Sequence, residues 1–214
     1  VEIANAWLNE HFYVVDYSNE ETVVTYETLL DKFRELVFRK GINGCLIDPL
    51  NDLDTTRGPG VSMDEYNQKM LGKVRKFKQR YGLKFLLSVH PNSESDRAIE
   101  QDKDGRKCPK VLELSDVAGG SIFKNRIDNG TSVYRNFWYD DTRFDTCIHI
   151  KKIKFQESVG IPTQRDWPIV LNYDVEISRF RCNGKDPIEG FFEQELWDPV
   201  VNPPQAEMQF DSHQ

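Results

Sequence analysis

Apolar positions in the first ninety residues fall into two kinds of pattern. Short unbroken runs stand at Phe12-Tyr13-Val14-Val15, Cys45-Leu46-Ile47 and Lys84-Phe85-Leu86-Leu87-Ser88-Val89, the composition of strands buried on both faces. Between these runs, apolar residues recur at three- and four-residue steps. One such stretch opens at Thr25, places Leu29, Phe33, Leu36 and Val37 on one side, and meets Gly41 just past its end, which predicts a capped helix. Ser62-Met63-Asp64-Glu65 forms a capping box. It opens a second helix with Tyr66, Met70, Val74, Phe77 and Tyr81 on one face and Gly82 as its stop. A further helix is expected to end near Ala6-Trp7-Leu8. Strand–helix–strand–helix–strand predicts a parallel sheet with right-handed crossovers. Ligands of such sheets bind beyond the carboxyl ends of the strands. Asp48 and His90 each stand one residue past an apolar strand and directly before a proline.

The pattern changes after His90. Asn92 to Lys110 is polar and reads as a long functional loop. Thr131–Tyr134, Cys147–Ile150, Ile169–Tyr173 and Glu176–Phe180 then predict antiparallel strands. From Asn183 onward there are seven acids, one base and four prolines, so residues 183–214 read as an extended acidic tail on a core of residues 1–182. That tail accounts for −6 of the chain's net −7. The acidic total therefore does not exclude a polyanionic partner for the core, because binding depends on local patches.

Length and composition narrow the class. With 214 residues the chain is long enough for one core without disulfides, and no apolar run approaches a membrane span. Val1-Glu2-Ile3-Ala4 has neither a basic nor an apolar signal region and no initiating Met, as expected of a piece of a longer protein. Cys45, Cys108, Cys147 and Cys182 are scattered with no ligand spacing, so no zinc site is expected and a reducing compartment is.

Four features could carry chemistry. Asp48 could present a carboxylate to Mg²⁺ through water, as a Walker B strand end does, or could simply form a turn before proline. His90 could hydrogen-bond a phosphate or satisfy backbone groups at the rim. Lys152 and Lys154 share one face of a strand and Lys151 takes the other. That pair suits a nucleotide phosphate, an acid on a neighbouring strand, or a solvated edge. Asp54-Thr55-Thr56-Arg57-Gly58-Pro59-Gly60 is a flexible loop with one base. No G-x-x-x-x-G-K-[ST] occurs in these residues, so no backbone cradle for a triphosphate is expected within them.

Taken in order, Gly44-Cys45-Leu46-Ile47-Asp48-Pro49-Leu50-Asn51, Val89-His90-Pro91, Leu114 through Ser121, Asp128-Asn129-Gly130, Val133-Tyr134-Arg135-Asn136 and Lys152-Ile153-Lys154-Phe155 followed by Gly160 resemble the C-terminal part of the RecA-type motor domain of DnaB-like hexameric replicative helicases. The branch they resemble is that of Twinkle and the phage primase-helicases. The resemblance implies an α/β, RecA-like fold: a mostly parallel sheet flanked by helices, with antiparallel strands at the C-terminal edge and the Walker A strand upstream of Val1. It implies ATP and Mg²⁺ as cofactors, with Asp48 in the Mg²⁺ shell and His90 sensing the γ-phosphate. Lys152 and Lys154 would reach the adjacent subunit's nucleotide in a homo-hexamer. Where Lys154 stands the family usually has arginine, and lysine lacks the bidentate fork. Arg57, Arg97 and Arg143 would contact single-stranded DNA. The compartment implied is bacterial or phage cytoplasm and nucleoid, or the mitochondrial matrix, with no membrane partner. The fragment alone is expected to be inactive. The alternative is a non-catalytic RecA-like module that binds DNA or a partner. An unrelated hydrolase using Asp48 and His90 would need a nucleophile elbow, and G-x-S-x-G is absent.

Overall fold

The computed structural model describes residues 2–17, 23–101, 105–117, 119–135 and 145–187. Arg143, Asn136 and residues 188–214 of the acidic tail lie outside them. In chain order the helices and strands are α1 (Glu2–His11), α2 (Tyr26–Lys40), β1 (Gly44–Ile47), α3 (Met63–Tyr81), β2 (Lys84–Leu87), α4 (Ser93–Asp96), β3 (Ile99–Gln101), β4 (Lys107–Pro109), α5 (Gly120–Arg126), β5 (Asn129–Arg135), β6 (Asp145–Ile153), α6 (Gln156–Val159), β7 (Ile169–Asp174) and β8 (Arg179–Cys182). They divide into two compact units. The first comprises Val1–His90 with Val117–Arg126, and the second Pro91–Asp116 with Ile127–Gln214.

In the first unit, local signals set the helices. Thr25 and Thr28 close a capping box on α2, and Gly41 ends it in the left-handed conformation. Ser62 and Glu65 do the same for α3, which Gly82 stops. β1 and β2 pair in parallel with Ile47 opposite Leu87. Phe85 of β2 meets Phe33 of α2 at 5.8 Å and Phe77 of α3 at 6.4 Å between ring centroids, so both helices cover the same face of the sheet. Tyr26, Leu29, Leu30, Cys45, Ile47, Leu71 and Val74 complete that core around Met70, which is 1 % exposed. Each such side chain contributes roughly 1.5–3 kcal/mol by leaving water.

Two expectations fail here for one reason. Phe12–Val15 is not a strand: it is irregular, and Val14 is 90 % exposed. β1 and β2 are covered on one face only, with Leu46 at 57 % and Leu86 at 56 % exposure opposite each other. An apolar run becomes a strand by pairing its backbone with a neighbour, and becomes doubly buried only when layers cover both faces. Composition supplies neither.

α5 packs on α3, and Arg75 of α3 donates to the Arg126 carbonyl at the end of α5, as cations do at helix C-termini. Gly119 makes this approach possible. Its φ is +69°, and a Cβ there would overlap the Asn67 amide nitrogen and come within 3.1 Å of Asp64 Oδ1. Asn67 is itself buried and has little room to yield. Gly119→Ala is expected to cost about 2 kcal/mol through left-handed strain and overpacking, measured as a lower urea midpoint.

The second unit is antiparallel. The Asn92–Lys110 stretch, expected as a loop, contains the short helix α4 and the β3–β4 hairpin, with Glu100 opposite Cys108. β5, β6, β7 and β8 form a four-stranded antiparallel sheet in that order. Gly130 faces Lys152 while Thr131 faces Ile150, so Lys151 is the extra residue of a bulge. The last strand begins at Arg179, three residues later than the expected start at Glu176, because Ser178, at φ +53°, sits in the turn after β7. The expected mostly parallel sheet is therefore corrected. Among the described residues the parallel part is two strands, and antiparallel pairing dominates. Helix-sized connections link β1 to β2, as parallel strands need, whereas β7 and β8 are joined by a short turn that only antiparallel strands can use.

Candidate functional site

The parallel ladder of β1 and β2 continues past their last paired residues. Ser88 N–H donates to the Ile47 carbonyl at 2.9 Å, and Leu50 N–H donates to the Ser88 carbonyl at 2.8 Å. Pro49, lacking an N–H, breaks the strand, and buried Leu50 anchors a 3₁₀ turn, Leu50–Asp52. That turn aims Asn51 across the sheet, where its Oδ1 accepts the His90 N–H at 2.7 Å. Asp48 and His90 thus stand at the same end of adjacent parallel strands, both exposed. Among the described residues the Asp48 carboxylate has no hydrogen-bond or ion-pair partner.

The loop beyond is ordered by its own polar groups. Asp54 Oδ1 accepts the Thr56 N–H at 2.9 Å and the Thr56 hydroxyl at 2.6 Å. Those two bonds hold its carboxyl below the usual range. The Tyr66 hydroxyl donates to the Asp54 carbonyl at 3.2 Å and ties the loop to α3. Arg57 follows on this loop, exposed.

The lysines belong to the second unit. Lys154, just past β6, pairs with Asp128 at 2.7 Å, and Lys151 pairs with Glu113 at 2.6 Å. Lys152 is half-buried opposite Gly130. The acid counterpart anticipated for a lysine pair is therefore present for Lys154. Arg97 is exposed immediately after α4, and Arg143 lies outside the described residues. One unit gathers Asp48, His90 and Arg57; the other holds Lys152, Lys154 and Arg97. Sequence reasoning gives Asn51 no role. Its signal was weak, because its link to His90 depends on strand pairing across 39 positions.

The residues present fit one of the two implied cofactors better than the other. A lone, exposed, unengaged carboxylate at a strand end suits Mg²⁺, which keeps its waters and takes one or two carboxylates plus phosphates. No group of three or more His, Cys, Asp or Glu side chains able to hold a metal occurs among the described residues. A triphosphate fits less well, since these 214 residues contain no glycine-rich phosphate loop. No helix of the described residues is long and apolar enough to cross a membrane.

No family model matches the sequence. The chain is 32% identical over 130 residues to the Twinkle homolog protein, chloroplastic/mitochondrial, of Arabidopsis thaliana. That match covers 61% of this chain and 17% of the relative's length. Among solved structures, one described as an ATPase domain superposes with a TM-score of 0.54 at 15% identity, over 73% of this chain and 51% of that one. A DnaB-like replicative helicase, described with its interactions with primase, gives the same score and identity over 73% of this chain and 35% of that one. The chain is thus similar in sequence to a segment of a Twinkle homologue, and its fold is that of part of the RecA-like ATPase domain of DnaB-like replicative helicases.

Proposed function

We propose that this chain is part of an ATP-dependent replicative DNA helicase that hydrolyses ATP at subunit interfaces and moves along single-stranded DNA. The observation that carries the reading is the rim: Asp48 and His90 at one end of adjacent parallel strands, with Asn51 bonded across between them. Asp48 holds the water shell of Mg²⁺, which neutralises charge on the phosphates when bound. His90, tethered through its backbone to the turn that follows Asp48, reports on the terminal phosphate. Lys152 and Lys154 act on the nucleotide of an adjacent copy in a homo-hexamer. Arg57, Arg97 and Arg143 hold the DNA backbone, as basic residues do in single-strand grooves. The Twinkle likeness favours an organellar compartment.

One observation favours a second reading, a non-catalytic RecA-like module. The Lys154 charge is already taken by Asp128.

The test compares the 214-residue chain with the full-length product of its gene. Mg²⁺-dependent ATP hydrolysis stimulated by single-stranded DNA is expected from the full-length protein and not from the chain. A full-length protein without such hydrolysis overturns the motor reading in favour of the module.

A further inference from the structure

Among the described residues, the least compensated polar groups of the second unit lie on the β5–β6 pair. His149, on β6, is 1 % exposed. Its register partner on β5 is Ser132, and its ring stacks on Tyr134 at 5.4 Å and 27°. Among the described residues neither His149 nitrogen has a hydrogen-bond partner, and neither does the buried Ser132 hydroxyl. Most buried polar groups are satisfied, so three orphan atoms on one cross-strand pair need an explanation.

The surrounding charges decide which protonation state this site tolerates. Burial and the neighbouring Cys147 push the Tyr134 hydroxyl up, so Tyr134 offers the ring no negative charge. Glu113 and Glu100 face His149 and would favour an imidazolium. Both are already committed, Glu113 to Lys151 at 2.6 Å and Glu100 to Arg165 at 2.6 Å. Glu100 also accepts the Val111 N–H through its other oxygen at 3.1 Å. Lys151, two residues along the same strand, adds a positive charge. Among the described residues a charged ring here would find no free counter-charge, and its burial keeps it from water.

We propose that the β5–β6 pair is an acid-sensitive element, in which a neutral His149 sealed between the strands makes mild acidification loosen the four-stranded sheet. Burial, with the Lys151 charge adding to it, holds the imidazole below its ordinary range. The direction of linkage follows. The unfolded chain takes up a proton near pH 6.5 and the folded chain does not. Stability is therefore complete above that value and falls as pH drops below it, until the folded ring itself is protonated. One proton changes the unfolding equilibrium constant by at most about tenfold per pH unit. Both lysines proposed to reach a nucleotide lie on or just past β6, so a loosened sheet would also release them. The pH dependence does not rest on the helicase reading and survives its failure.

Urea unfolding of the 214-residue chain, followed by NMR through the β6 amides between pH 7.5 and 5.5, tests this directly. Wild type is expected to lose stability towards the tenfold-per-unit limit, and His149→Phe to show a flat profile across that range. An equal slope in His149→Phe overturns the proposal. Should that variant not fold, the ring C2–H resonances of the wild-type chain decide. A His149 resonance that stays neutral down to pH 5.5 supports the proposal, and one that titrates in the ordinary histidine range near 6.5 overturns it.

Discussion

Replacing Asp116 by alanine is expected to lower the stability of the second unit by about 3 kcal/mol, read as a shift of the urea midpoint. Asp116 is buried and both its carboxylate oxygens accept hydrogen bonds. Oδ1 accepts the Ser95 hydroxyl at 3.1 Å and Lys110 Nζ at 2.8 Å, and Oδ2 accepts the Glu113 N–H at 2.7 Å. Its own carbonyl accepts the Asn92 N–H at 2.7 Å, beside the cap of α4. One side chain thus joins α4, the segment after β4 and the turn that precedes Asp116. Alanine would leave the Lys110 ammonium and two further donors without partners, and the desolvation cost of those groups exceeds the worth of any one bond. Asparagine retains acceptor geometry on one oxygen only and should lose less. Burial raises the Asp116 carboxyl, but the bonds from Lys110, Glu113 and Ser95 outweigh it and hold the group below its ordinary range. A depressed carboxyl contributes stability that is complete above the unfolded value, near 3.9, and is lost as pH falls through the folded one. This acid limb lies below that of His149, so the two are separable in one pH series.

What sequence could and could not reveal follows from the range of the interactions. Thr25, Ser62, Gly41 and Gly82 mark their helix ends because caps are made with residues three or four positions away. Asp48 is legible as a strand end because Pro49 follows it, whereas β2 stops at Leu87, three residues before His90, and not at Val89 as its composition predicts. Phe12–Val15 has the composition of a strand and is not one, since no backbone edge among the described residues pairs with it. The β3–β4 hairpin has no alternation to betray it. It is held by Cys108, buried opposite Glu100, and by the Arg165–Glu100 pair across 65 positions. Lys154 reads from sequence equally well as a phosphate ligand or an ion-pair partner, and its pairing with Asp128 spans 26 positions. The roles of the rim residues lie further still from local pattern. They depend on a ligand that neither strand composition nor turn chemistry encodes.

The sharpest separation between a turn-forming and a functional Asp48 comes from Asp48→Asn in the full-length protein. Asparagine also forms turns before proline, and the Asp48 carboxylate is exposed with no partner among the described residues. Folding stability should therefore stay within about 0.5 kcal/mol of wild type. Mg²⁺-dependent ATP hydrolysis is expected to fall by about 10²–10³-fold, the worth of several kcal/mol of metal-assisted charge stabilisation. A structural Asp48 predicts the reverse: altered stability and hydrolysis that tracks the folded fraction. Asn51→Leu supplies the matching control, since it removes the acceptor of the His90 N–H and leaves Asp48 in place. It should weaken hydrolysis less than Asp48→Asn does, because the carboxylate contributes charge at the phosphates whereas the amide only fixes the rim that presents it.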